Sequence, residues 1–338
     1  MSVVRTPVDV AAGVLICPDG RFLLASRPVG KPYALYWEFP GGKVEAGEPI
    51  VAALARELRE ELAIEIGPAF PWVVRTFDYP HALVRLHFFR IFAWGGQLQA
   101  REQQRFGFFS PGVLPEGPLL PATIPVLRWL SLPPLYAISA AAKLGTGAFL
   151  RRLDSALARG LRLVQFREPT LSSADAASIF DQVVACARAF GAKVLVNSRH
   201  ARTLWDKADG VHLTATDAAA LKRRPDYPWV AASVHSILEL RHAAEIDVDF
   251  VVAGPVCPTA SHPTSETLGW PALARLISET SAPAFALGGL RSSDVSLAVR
   301  HGAHGIASLS AVWNEDQCVS FEASALVSTS LTSGPAIE

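Results

Sequence analysis

The stretch "EFPGGKVEAGE" (residues 38–48) runs into a helical pattern that ends in "ARELREEL" (55–62). On a helix, Glu57, Glu60 and Glu61 are related by three and four residues, so their carboxylates share one face. Like charges so placed repel each other, and an ordinary solvated face would intersperse lysines. The cluster is accounted for if a divalent cation sits among the carboxylates, since hard oxygen ligands suit Mg²⁺ or Mn²⁺. Gly41 and Gly42 let the backbone come close, so that a main-chain carbonyl could join the ligand set. The competing reading is a glutamate-rich helix facing water.

Outward from this point, residues 1–131 read as one mixed domain. Strands are expected at 8–16, 22–26, 72–77 and 83–94, with the Asp19-Gly20 pair turning between the first two. The helix at 49–62 and a shorter one in "IPVLRWL" (124–130) complete it. Pro133 and Pro134 cannot continue a helix, so residues 132–135 read as a linker. Beyond it, eight short apolar runs alternate with amphipathic segments: 135–139, 161–166, 193–197, 210–213, 229–233, 249–254, 284–289 and 305–310. Eight such repeats are what a (β/α)₈ TIM barrel over 136–325 requires; an open doubly wound sheet is the alternative. The small, polar residues 326–338 read as a flexible tail. The fold class expected is therefore α/β in both halves.

Composition narrows the function. The 338 residues are 50% hydrophobic and 18% charged, with 31 cationic and 31 anionic side chains. A neutral chain argues against a broad nucleic-acid surface but permits a local phosphate pocket. Four scattered cysteines, Cys17, Cys186, Cys257 and Cys318, form neither a zinc motif nor a disulfide framework, and no stretch reads as a membrane span. A cytoplasmic protein with free thiols is expected.

Gly42, Glu48, Arg56, Glu57, Leu58, Glu60, Glu61 and Ile64 stand in the spacing of the Nudix box, and the segment resembles that family. Ala63 departs from it, standing where the family has the glycine that ends the helix. The resemblance implies an α/β/α sandwich that hydrolyses a nucleoside diphosphate linked to another group. It implies Gly41, Glu57, Glu60, Glu61 and Glu102 as the metal set and Arg56 as the residue that orients the glutamates. The half is most similar to the MutT branch, which implies conversion of oxidised guanine nucleotides such as 8-oxo-dGTP to monophosphate and pyrophosphate, in support of DNA repair and replication. Arg27 would then contact phosphate and Phe39 border the base pocket. Thr123, in "LPATIPVL", replaces the asparagine that reads the purine there, which puts base selectivity in question.

In the barrel half, residues at the carboxyl ends of the strands build the site. These are Gln165, Arg167, Asn197, His212, Ser233, His235, Gly254 and Thr259, with Gly288, Gly289, Ser308 and Ser310 suited to phosphate. "VQFRE", "ADGVHL", "ASVHS", "AGPVCPT" and "ALGGL" resemble, in order, the thiamine-phosphate synthase/TenI family. Synthases of that family carry two lysines and an aspartate where this chain has Pro169, His262 and Ser198, leaving Asp217 without its usual partner. The resemblance thus implies a thiazole tautomerase with His235 as proton carrier, a residual synthase, or a barrel that binds a thiazole phosphate or thiamine-related ligand without catalysis. In that case the first half would trim a thiamine-related pyrophosphate.

Overall fold

A computed structural model describes residues 5–258 and 267–314 of the chain. The chain divides into two compact units between Ser131 and Leu132.

In the first unit a four-stranded sheet has the order β4-β1-β7-β6, built from β1 (Val8–Leu15), β4 (Gly41–Lys43), β6 (Ala69–Tyr79) and β7 (Ala82–Ile91). β1 runs parallel to β7 and antiparallel to β4. A smaller sheet joins β2 (Phe22–Ser26) to β3 (Trp37–Glu38) and β9 (Phe106–Phe109), and β5 (Glu65–Ile66) pairs with β8 (Trp94–Gly95).

The helix α1 (Ile50–Leu62) buries Leu54, Leu58 and Leu62, spaced by four, against Ala11, Leu15, Phe89 and Ile91. Alternation along the strands then decides what lies on the other face. There Arg90 covers the ring of Trp72, and Trp72 meets Trp129 of α2 (Thr123–Trp129) edge-on at 6.1 Å. Helices thus cover both faces of the sheet, giving a sandwich. α1 ends at Ala63, which adopts φ 60°, ψ 31°, the left-handed conformation that favours glycine.

The second unit is a closed barrel of eight parallel strands in sequence order. They are β10 (Leu135–Ile138), β11 (Leu163–Phe166), β12 (Lys193–Asn197), β13 (Gly210–Leu213), β14 (Trp229–Val234), β15 (Phe250–Ala253), β16 (Ala284–Leu287) and β17 (Gly305–Ser308). Each falls on one of the eight apolar runs, and the open-sheet alternative is excluded by the pairing of β10 with β17. Residues 132–135, expected to be a linker, are packed into this unit. Leu132 and Leu135 are buried, the Leu132 carbonyl accepts from Nε2 of the buried His304 at 3.0 Å, and the Pro134 carbonyl accepts from the Ile306 amide at 2.9 Å. Among the described residues no helix is long and apolar enough to cross a membrane, and Cys17, Cys186 and Cys257 are free thiols. The residues expected to form a tail, 326–338, with Thr259, His262 and Cys318, lie outside the described residues.

Candidate active site

A cleft of about 550 Å³ opens in the first unit. Its lining combines the apolar and aromatic Tyr33, Phe39, Tyr79, His81, Leu86 and Leu120 with the charged Arg27, Lys31, Glu38, Glu57 and Glu61, beside Gly41 and Gly42.

The glycine pair explains how α1 reaches this cleft across the edge strand. A Cβ on Gly42 would lie 2.2 Å from the carboxyl carbon of Glu57, so the missing side chain is the seat of that carboxylate. Gly41 has φ 141°, and a Cβ there would lie 2.1 Å from the Ala11 carbonyl oxygen, where β4 pairs with β1.

Arg56 fixes the acidic face. Its Nε and Nη2 donate to the two oxygens of Glu48 at 3.0 and 2.9 Å, Nη1 donates to Glu57 at 2.9 Å, and Nη2 also reaches the Lys43 carbonyl at 3.1 Å. The hydrogen bonds it donates to the two glutamates raise its pKa further above the ordinary arginine value. Glu57 and Glu61 line the cleft. Glu60 is turned to the outer side of Arg56, 3.5 Å from Nη1, with 60% of its side chain exposed. Among the described residues, no three acidic, histidine or cysteine groups converge as a ready cation cage.

The electrostatics nevertheless fit a divalent cation. The Glu61 carboxyl is pushed up to about 8, first by burial, then by the charges of Glu102 and Glu38. Lys31 opposes this rise and Glu57 adds to it. Several carboxylates forced together without enough positive charge are what a cation would relieve. Glu38 is raised by burial despite Arg27, which holds both its oxygens at 2.7 and 2.8 Å. Lys31 donates to Glu102 at 2.6 Å, and Gln104 holds the Glu61 carbonyl at 2.9 Å. Glu38, Lys31 and Gln104 were missed in the sequence; they enter through contacts over 11 to 71 residues, which no local pattern encodes.

Among the aromatic residues of the lining, Tyr33 stands edge-on to Tyr79 and tilted to His81, with centroids 5.6 and 5.8 Å away. Burial pushes the Tyr79 hydroxyl up to about 12, partly offset by the Ala122 backbone. Phe39 borders the cleft and meets Phe88 edge-on. Thr123, expected to face the base, is instead 2% exposed at the start of α2, where its hydroxyl donates to the Trp37 carbonyl at 3.4 Å. Leu120 borders the cleft in this region.

In the barrel, a buried polar string crosses the interior. Tyr136 bonds His212 Nδ1 at 3.2 Å, His212 Nε2 bonds Ser233 at 2.9 Å, and Asn197 donates to Gln165 at 3.1 Å. Burial, then Arg167, pushes His212 down to about 3, so its ring is neutral. The exposed His235 is 3.2 Å from Glu239, which also accepts from its backbone amide. Gly288 and Gly289 have φ 113° and 65°, and side chains there would strike Pro255 and the Pro258 carbonyl. Ser308 is buried on the Leu290 carbonyl, whereas Ser310 is exposed.

The synthase metal position does not fit a cation. Ser198 and Thr214 donate to Oδ2 of Asp217 at 2.6 and 2.8 Å, and Arg199 stands 3.5 Å from the same oxygen. Burial would raise the Asp217 carboxyl, but these donors and the arginine hold it below its ordinary value. Glu168, also missed in the sequence, is buried and caps the amides of Ala141 and Ala142 at 2.7 and 2.9 Å.

Residues 7–130 match the NUDIX domain family and residues 135–312 the thiamine monophosphate synthase family. The first unit is similar to the CTP pyrophosphohydrolase of Escherichia coli (strain K12), 40% identical over 121 residues, which covers 36% of this chain and 89% of that protein. It is also 34% identical over 123 residues to the 8-oxo-dGTP diphosphatase of Haemophilus influenzae, covering 36% of this chain and 90% of the relative. The barrel is 30% identical over 190 residues to the thiamine-phosphate synthase of Desulfitobacterium hafniense (strain DCB-2), covering 54% of this chain and 91% of that enzyme. The chain therefore belongs to two families at once: its first unit is a Nudix hydrolase acting on pyrophosphate bonds, and its second is a member of the thiamine monophosphate synthase family.

Proposed function

We propose that the first unit is a divalent-metal-dependent pyrophosphohydrolase that converts a nucleoside triphosphate to the monophosphate and pyrophosphate. The observation that carries this is one cleft whose lining combines paired carboxylates from α1 with Arg27 and Lys31 and with the rings of Tyr33, Phe39, Tyr79 and His81. Such a cleft suits a molecule with a charged chain and a flat, apolar ring. When bound, Mg²⁺ or Mn²⁺ would neutralise phosphate oxygens and lower the pKa of the attacking water. Glu57, Glu61 and Glu102 would hold it, with Glu60 and the Gly41 carbonyl as further ligands. Arg56 keeps Glu57 in place, and Arg27, itself fixed by Glu38, offers positive charge to the phosphates.

Among relatives, one is named for CTP and another for 8-oxo-dGTP, and we take 8-oxo-dGTP as the leading substrate. Such an enzyme would protect DNA through its precursors, without touching nucleic acid. The test is a product assay with Mg²⁺ on 8-oxo-dGTP, dGTP, CTP, the other triphosphates and thiamine pyrophosphate, with Glu57→Gln as control. Release of pyrophosphate from 8-oxo-dGTP, far faster than from dGTP and lost in the variant, is the expected result. No advantage for the oxidised base removes that substrate.

A second reading rests on the barrel fused to this hydrolase. In this reading His235, exposed and held by Glu239, would carry a proton for a thiazole phosphate docked at Gly288, Gly289 and Ser310. The first unit would then act on a thiamine-related pyrophosphate. Turnover of thiamine pyrophosphate above all nucleotides in the same assay would favour it. If a thiazole phosphate binds without His235-dependent tautomerisation, the barrel is a sensor.

A further inference from the structure

Three long cationic side chains, Arg27, Lys31 and Lys43, line the cleft, and two of them are held by carboxylates in very different ways. Arg27 is fixed: Nη1 donates to both oxygens of Glu38, Nε donates to the Pro32 carbonyl, and the pair is 22% and 24% exposed. Lys31 is not. Among the described residues its carboxylate partner is Glu102, at 2.6 Å, and the two side chains are 48% and 39% exposed. Water screens such a pair, so little holds it together, and a lysine head on a flexible stem can turn to a new acceptor at small cost. The partner matters as much as the exposure. The charge of Glu102 acts directly on Glu61, and the Lys31 ammonium counteracts it. Lys31 therefore sits against the acidic cluster where positive charge is otherwise short.

We propose that Lys31 is an exchangeable counter-ion of this site and a phosphate-binding residue for its substrate. It holds Glu102 while the carboxylates lack a cation. When Glu102 turns to a divalent ion, the freed ammonium moves to a phosphate oxygen of the incoming triphosphate. The same lysine thus competes with the metal in the resting protein and assists the nucleotide in the loaded one. These opposite effects separate the role from a structural one. The inference rests on the triphosphate reading above.

The test uses the full chain and Lys31→Met, with Lys31→Arg as the charge-keeping variant. Mn²⁺ uptake is measured without nucleotide by electron paramagnetic resonance, and binding of the α,β-imido analogues of dGTP and CTP is measured with Mg²⁺ by calorimetry. Lys31→Met is expected to bind Mn²⁺ several-fold more tightly and the analogues roughly tenfold more weakly, the scale of one lost charge-assisted contact. Lys31→Arg is expected to keep analogue binding near that of the wild type. Wild-type binding of both probes, with Lys31→Met shifting neither or weakening both together, overturns the proposal alone. A wild-type chain that takes up no Mn²⁺ and neither analogue overturns the triphosphate reading, and this proposal with it.

Discussion

At Gly42 a single hydrogen atom leaves the space that the Glu57 carboxylate fills, while its neighbour Gly41 is needed for the backbone. The two glycines should therefore fail differently. Gly42→Ala is expected to displace Glu57 and lower hydrolysis about 10–100-fold, the usual scale for losing the support of a metal ligand. Its unfolding midpoint should move little, because the displaced group is a side chain at the edge of a cleft. Gly41→Ala is expected to destabilise the first unit by about 1–3 kcal/mol, since a Cβ would collide with the Ala11 carbonyl in a strained conformation. Turnover and urea unfolding, measured on both variants, check the contrast. At this scale the sequence was informative wherever spacing alone sets position: Glu57, Glu61 and Arg56 lie within one helix. It was silent on Lys31, which meets Glu102 from 71 residues away, and on the Thr123 hydroxyl, which donates to the Trp37 carbonyl.

The helix α1 carries two independent consequences. Its terminal residue Ala63 is held at φ 60°, which costs a non-glycine residue roughly 1–2 kcal/mol. Ala63→Gly should stabilise this unit by about 1 kcal/mol once the added freedom of the unfolded glycine is subtracted. The urea midpoint at which hydrolysis is lost is the readout, and kcat should be unchanged. The second consequence is a pH dependence. Glu61 in the folded, metal-free unit titrates at about 8, above its ordinary 4.5, so the folded state binds the proton more tightly than the unfolded one. Stability is then greatest below 4.5 as far as this group is concerned, and is lost as pH rises through the interval up to 8. Unfolding in the presence of a chelator should show this loss, and Glu61→Gln should remove it. Elements were legible in proportion to their pattern. The helix and the long strands declared themselves through period and apolar runs, whereas β4 is built of Gly41, Gly42 and Lys43 and exists because β1 offers it an edge.

For the molecule as a whole, eight apolar runs were enough to expect a barrel, since closure in sequence order buries each of them on both sides. What the runs could not show is where the barrel begins. The carbonyls of Leu132 and Pro134 bind His304 and Ile306 beside the first and last strands, and a Cβ on Gly305 would lie 1.9 Å from the Pro134 oxygen. Those prolines read as a spacer because they cannot extend a helix, yet an acceptor oxygen needs no amide hydrogen. The seam of the cylinder, paired strand to strand between β10 and β17, is thus extended from outside its strands by residues that a gene designer would discard as connector. A chain begun at Leu132 should fold into a barrel with a single cooperative urea transition and an intact near-ultraviolet dichroism spectrum. One begun at Tyr136 should lose both, because the last strand would have no carbonyl left to fasten to at its start.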